Sequence, residues 1–173
     1  MPREEATAIS EVVKKEAVAL FGNEVLVETC GSYRRGKDNC GDVDILLTRK
    51  DNKAINGMLE ELLSRLEAQN FLKERLGSTR VSDKGSEMYM GVCKLPESKY
   101  KLHRRIDIKV YPKDQFGFAL LYFTGSDYFN RSMRLFAEQK GYTLSDHGLA
   151  PVAKSSSKQK LGKGIGIPCM TEL

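Results

Sequence analysis

Residues 31–48 read Gly31-Ser-Tyr-Arg-Arg-Gly-Lys-Asp-Asn-Cys-Gly-Asp-Val-Asp-Ile-Leu-Leu-Thr48. The second half, DVDILLT (42–48), is an apolar run that predicts a strand entering a core. Asp42 and Asp44 stand two apart on it, so both carboxylates leave one side of the sheet. Two carboxylates on a stiff platform repel each other unless a cation lies between them, and hard oxygen ligands on one face suit Mg²⁺. A solvated strand end presents the same pair, so what precedes it matters. GSYRRGKDNCG (31–41) supplies Gly31, Gly36 and Gly41 with Ser32, Arg34 and Arg35 between them. Glycines let backbone N–H groups approach phosphate oxygens closely, and arginine meets phosphate as a planar fork. A phosphate cradle directly before two metal-binding carboxylates is what metal-assisted phosphoryl transfer requires.

Upstream, VLVETC (25–30) predicts a second strand. A helix over 6–21 carries Ile9, Val12, Val13, Ala17 and Leu20 on one stripe. Downstream, RKDNK (49–53) is a turn. The helix that follows sets Ile55, Met58, Leu59, Leu62, Leu63 and Leu66 at helical spacing. A polar connection (73–86) leads to strands at 88–95 and 105–111, joined by the basic loop PESKYKLHR. In RIDIKVY, Ile106, Ile108 and Val110 alternate with Arg105, Asp107 and Lys109. Asp107 therefore shares a polar face with basic neighbours, either as their ion-pair partner or as a third carboxylate of the cluster. In the second case two Mg²⁺ ions about 3.5–4 Å apart could serve the attacking and leaving oxygens.

Pro112 marks a change of character. Residues 113–124 and 127–140 predict two short helices, the second closed by Gly141, and YTLSDHGLAPVA predicts a hairpin. Asp127, Asn130 and Arg134 fall at i, i+3 and i+7 on one helix face. Phe129, Met133, Phe136 and Ala137 fall elsewhere and read as core. Residues 154–166 form a Lys/Ser/Gly loop whose Lys154, Lys158, Lys160 and Lys163 suit either solvent or DNA phosphates. The element order predicts an α+β chain. Residues 1–112 form a mixed sheet with helices on one face, and 113–173 a small mixed α/β subdomain.

Composition agrees with a folded domain and little else. The chain has 173 residues, 40% of them hydrophobic, and a net charge of +5 that leans towards an anionic partner. No apolar run approaches the ~20 residues of a membrane-spanning helix, and the charged opening MPREEATAISEVVKKE is unlike a secretory leader. Cys30, Cys40, Cys93 and Cys169 show no zinc spacing and suit reduced thiols of a cytosolic or nuclear protein. Cys30 and Cys93 read as core, and His103 and His147 as surface or phosphate-side residues.

GSYRRGKDNCGDVDILLT resembles the nucleotidyltransferase signature of the family X DNA polymerases, and HRRIDIKV resembles their third-carboxylate strand. YFTGSDYFNRSMR (122–134) is similar to the segment that holds the nascent base pair in the beta and lambda branch of that family. MPREEA and the cysteine of GVCKL look most like the lambda side of it. The resemblance runs over essentially the whole chain.

It implies a polymerase palm followed by a nascent-base-pair-binding subdomain, incomplete at its C-terminus. Asp42, Asp44 and Asp107 would be catalytic and hold two Mg²⁺ ions, with Mn²⁺ able to substitute. Gly31, Ser32, Arg35 and Gly41, with Arg3 nearby, would hold the triphosphate of a deoxynucleoside triphosphate. Tyr122, Phe123 and Gly125 would bracket its sugar, with Asp127 and Asn130 touching the nucleotide. Arg105 would approach the primer terminus and Arg134 the template. Related template-independent enzymes carry Gly-Trp where this chain has Tyr122-Phe123, so the resemblance implies template-directed, short-gap filling in DNA repair. The implied partners are gapped or primer-template DNA and repair proteins, for a monomeric nuclear protein without a membrane segment. The upstream lyase and DNA-clamping elements of such enzymes are not matched, and the chain stops at MTEL. The expectation is weak, distributive activity that falls steeply with salt. A silent DNA- or partner-binding fragment, or transfer to a non-DNA acceptor, are the competing readings.

Overall fold

The computed structural model describes residues 1–96, 101–154, 160–163 and 167. The chain divides into two compact units, Met1–Lys113 and Asp114–Leu173.

In the first unit, helix α1 (Arg3–Phe21) precedes strand β1 (Val25–Thr29), the single turn α2 (Gly31–Arg34) and strand β2 (Val43–Arg49). Helix α3 (Met58–Ala68) is followed by β3 (Leu72–Arg75), β4 (Arg80–Val81), β5 (Glu87–Cys93) and β6 (Arg104–Val110). The strands lie in the order β1-β2-β6-β5-β3, with β4 added on β5. All neighbours are antiparallel except β2 and β6, which run parallel. This makes the sheet mixed.

The helical stripes explain the core. Ala6, Ile9, Val13 and Ala17 of α1 and Leu59, Leu62, Leu63 and Leu66 of α3 are buried together. They meet Val43, Ile45 and Leu47 of β2 and Ile106, Ile108 and Val110 of β6, the alternate residues of two central strands. Glu16 and Arg65 tie the two helices at 3.0 Å. Arg104 at the head of β6 grips the buried Glu5 of α1 with two hydrogen bonds of 2.6 and 2.8 Å.

The glycine-rich segment, which the sequence assigns to no element, contains the helical turn α2. Two local expectations need correction. The stretch 73–86 is not a plain loop: β3 and β4 form there at the sheet edge. Their outward side chains face water, so the polar sequence conceals a strand. Helix α3 begins at Met58 rather than Ile55. Its first N–H groups are satisfied from a distance, since the buried Glu87 carboxylate of β5 accepts from Gly57 N at 2.7 Å and Leu59 N at 3.0 Å. Ile55 remains in the core.

In the second unit, a short turn leads into α4 (Phe116–Thr124), and Ser126 caps α5 (Asp127–Gln139). Gly141, at φ +84°, ends α5 in the left-handed region. Strands β7 (Tyr142–Ser145) and β8 (Gly148–Lys154) form a hairpin around Asp146-His147, and β9 (Lys160–Lys163) pairs with β8. The expected Lys/Ser/Gly loop thus contains a strand, while Lys158 lies outside the described residues. Phe129 and Phe136, read as core, are 41% and 56% exposed. Helix α5 packs on β7 and buries Ala137, which leaves both rings on its outer flank.

Cys30, Cys40 and Cys93 are buried free thiols, and Cys169 lies outside the described residues. Burial pushes the Cys30 and Cys93 thiols up to about 12, so they are inert at neutral pH. Among the described residues no helix is long and apolar enough to cross a membrane.

Candidate active site

The parallel pairing of β2 with β6 creates the site. Its register sets Val43 opposite Ile106, Asp44 opposite Asp107 and Ile45 opposite Ile108. The isoleucines and Val43 go into the helix-covered core, so Asp44 and Asp107 leave the opposite face together. Asp42, one residue before β2 begins, joins them. The three carboxylates are progressively less open, with side-chain exposures of 34% for Asp42, 20% for Asp44 and 9% for Asp107.

Two cations are threaded through this cluster. Arg105 donates to Asp107 Oδ2 at 3.2 Å and Oδ1 at 3.3 Å, and lies 3.9 Å from Asp42. Lys109 places its Nζ 2.8 Å from Asp44 Oδ1 and 3.8 Å from Asp107 Oδ2. The electrostatics follow. Desolvation, then the neighbouring Asp44 charge, raises Asp42 above the ordinary aspartate range. The hydrogen bond from Arg105 to Asp107 holds that guanidinium above its usual value. Among the described residues no three acidic, His or Cys side chains converge into a ready-made metal cage.

The glycine-rich loop is docked onto the same strand. Cys30 N donates to Asp44 O at 2.8 Å, so the turn into α2 starts beside the carboxylate. Gly31 sits at φ +59°, and a Cβ there would lie 2.5 Å from Asp44 Oδ2. Only glycine meets both demands. Lys37 N donates to Ser32 O at 3.1 Å, Gly36 turns at φ +80°, and Arg3 N binds Asp38 O at 2.8 Å. Ser32 is half-buried, while Arg34, Arg35 and Gly41 are exposed. The Arg3 side chain is turned to the loop itself. Its Nη1 donates to Tyr33 O at 2.7 Å and Lys37 O at 3.2 Å, and its guanidinium lies 4.0 Å from the Tyr33 ring centroid. Arg3 is thus a brace under the loop.

The remaining candidates lie in the second unit. Tyr122 and Phe123 end α4 with their rings edge to face at 5.1 Å, and Gly125 follows at φ +66°. Asn130 Nδ2 donates to Tyr122 O at 2.8 Å, which ties the start of α5 to the end of α4. Asp127 pairs with Arg131 at 2.8 Å on the surface. Tyr122, Asn130 and Arg134 line one shallow cleft with Phe118, Met133 and Leu144. His103 is exposed, and His147 Nδ1 lies 2.7 Å from Gln115 Oε1.

The sequence model of the DNA polymerase beta palm matches residues 1–113. The chain belongs to the family X DNA polymerases. A second model, the DNA polymerase beta thumb, matches residues 119–172. The chain is 46% identical over 173 residues to a DNA polymerase lambda of Rattus norvegicus, covering 99% of this chain and 30% of that one. It is 40% identical to a DNA polymerase lambda of Arabidopsis thaliana, covering 95% of this chain and 31% of the relative. With a DNA nucleotidylexotransferase of Gallus gallus it shares 30% identity over 84% of this chain and 33% of that protein. The chain therefore spans about a third of the length of these relatives.

Two features of this candidate site escape a reading of the sequence. The alternation puts Lys109 on the polar face of β6 with Asp107, but gives no sign that it is buried among the carboxylates. Met90 of β5 is the register partner of Asp107, and Met88 that of Lys109. An apolar shelf therefore continues the carboxylate face across β5. The alternation of 88–93 was the available signal, but it gives no strand order.

Proposed function

We propose that this chain carries the catalytic centre of a template-directed DNA polymerase that adds a deoxynucleotide to a primer 3′-OH. The observation that supports this best is the register pairing of Asp44 with Asp107 beside a glycine-rich loop docked on Asp44.

The residues fit divalent cations. Three hard carboxylate donors share one face, and the Lys109 ammonium already stands between two of them as a cation would. Asp42, Asp44 and Asp107 would hold two Mg²⁺ ions, or Mn²⁺ in their place. The ions would supply charge neutralisation at the attacking and leaving oxygens.

The protein groups do the rest. Ser32, Arg35, Gly31 and Gly41 of the loop bind the β- and γ-phosphates, and Arg3 keeps that loop in shape through its carbonyls. Arg105 orients Asp107 and reaches towards the primer end. Asp107, the most enclosed of the three, accepts the proton as the 3′-oxygen bonds to the α-phosphorus and pyrophosphate leaves. Tyr122, Phe123 and Gly125 bracket the sugar, Asp127 and Asn130 touch the incoming nucleotide, and Arg134 faces the template strand. Tyr122-Phe123 at the end of α4 favours template-directed synthesis over terminal transfer. The biological setting is short-gap filling in nuclear DNA repair, by a monomer working with repair proteins on gapped DNA.

Primer extension on a one-nucleotide gap tests the reading. It predicts addition of the templated deoxynucleotide, dependent on Mg²⁺ and a strong preference over the ribonucleotide. Equal use of both sugars, or transfer without a primer, would contradict it.

A further inference from the structure

Tyr33 stands between Ser32 and Arg35 of the glycine-rich loop, and its side chain is engaged by helix α1. Its hydroxyl lies 3.0 Å from Thr7 Oγ1, which lies 3.0 Å from Arg3 O. Thr7 has one hydroxyl hydrogen and a carbonyl can only accept. Thr7 therefore donates to Arg3 O, and the Tyr33 hydroxyl donates to Thr7. Arg3 closes the circuit. Its Nη1 donates to Tyr33 O at 2.7 Å, and its guanidinium lies 4.0 Å from the Tyr33 ring centroid. Tyr33 is thus held by hydroxyl, ring and carbonyl, all from two residues one turn apart on α1. This grip matters because α2 is only four residues long. A single helical turn is not stable by itself, so its shape is imposed from outside. Asp44 O holds Cys30 N at its start, and α1 holds Tyr33 within it.

We propose that Tyr33, through its hydroxyl bond to Thr7, is a positioning residue for triphosphate binding. It fixes the turn that presents Ser32 and, at its end, Arg35, and so sets the affinity for the triphosphate rather than the rate of transfer. The inference rests on reading that loop as the phosphate cradle. The reacting α-phosphorus and 3′-oxygen belong to the carboxylate face, whereas the loop grips the β- and γ-phosphates before and during the step. An interaction made equally in both states changes KM and leaves kcat as it was.

Single-turnover gap filling, titrated with a deoxynucleoside triphosphate, separates the two quantities. Tyr33→Phe keeps the ring under the guanidinium and removes only the hydroxyl, and Thr7→Val removes its acceptor at nearly constant shape. Each should weaken triphosphate affinity about three- to tenfold, the worth of one hydrogen bond, with the maximal rate kept within about twofold. The double variant should be no weaker than either single one, since one circuit is broken in all three. Thr7→Ser, which keeps the hydroxyl, should retain the wild-type affinity. Calorimetric binding of inorganic tripolyphosphate to DNA-free protein should show the same ranking without any chemistry. Unchanged affinity in a folded Tyr33→Phe, losses that add in the double variant, or a maximal rate that falls as far as the affinity would overturn the proposal. If the wild type binds tripolyphosphate and fills gaps while the variants match it, only this inference has failed. If the wild type neither binds tripolyphosphate nor fills a gap, the inference falls together with the catalytic reading.

Discussion

Asp44 and Asp107 face each other across the parallel β2–β6 pair, although helix α3 and three strands lie between them in the chain. That single register brings two separately unremarkable acidic positions onto one face. Asp44→Asn and Asp107→Asn should each lower single-turnover nucleotide incorporation by about 10²–10³-fold or more, the scale of losing one preorganised electrostatic group. Circular dichroism of both variants should match the wild type. Activity within a few-fold of the wild type would remove that residue from the reaction.

Gly31 is required twice, by its φ of +59° and by the closeness of Asp44 Oδ2. Gly36 provides the control, since it has φ +80° and open space where a Cβ would go. Alanine at either position should destabilise the fold by about 1–2 kcal/mol, the cost of the left-handed conformation. Only Gly31→Ala should also displace the Asp44 carboxylate. Gly31→Ala should therefore melt no higher than Gly36→Ala, and incorporation per folded molecule should fall in Gly31→Ala and be kept in Gly36→Ala.

Asp42 has a pH signature. Its folded-state pKa is raised by desolvation and by Asp44, so the native state binds its proton more tightly than the unfolded chain does. The associated stability is present below the ordinary aspartate range and is lost as pH rises through the raised value. At neutral pH the ionised side chain thus costs the metal-free protein stability. The side chain is a third open to water, which limits the effect. Asp42→Asn should melt about one to two degrees higher at pH 7, and this advantage should vanish in acid. A variant that melts lower at pH 7 would reverse the sign of the argument.

Glu87 supports the fold away from the reaction. Its carboxylate accepts the N–H groups of Gly57 and Leu59 at the head of α3. Glu87→Ala leaves two buried donors without that acceptor and should cost about 1–3 kcal/mol of stability. Denaturant melts would show the loss. Incorporation per folded molecule should stay near that of the wild type.

The strands and long helices were legible because Val43, Ile45, Leu47 and the α1 and α3 stripes have a clear period. So were the three aspartates and the glycine-rich loop, whose residue types state their chemistry locally. Strand order was not legible, because nothing near Asp44 says that β6 will lie beside it in parallel. The edge strands β3 and β4 hid behind solvent-facing polar residues. The burial of Lys109 and the capping role of Glu87 were not legible for a common reason: a charged side chain gives no local sign of the distant partners that enclose it. Phe129 and Phe136 erred the other way, since α5 needs only Ala137 to pack on β7.

The central claim is that Asp42, Asp44 and Asp107 form a working nucleotidyl-transfer centre. Single-turnover extension of a one-nucleotide gap at low salt, with wild type and Asp107→Ala compared with and without Mg²⁺, tests it most directly. The account predicts Mg²⁺-dependent addition of the templated deoxynucleotide by the wild type and its loss in Asp107→Ala. Extension that persists in Asp107→Ala or without a divalent ion, or none by the wild type at saturating protein, would contradict it.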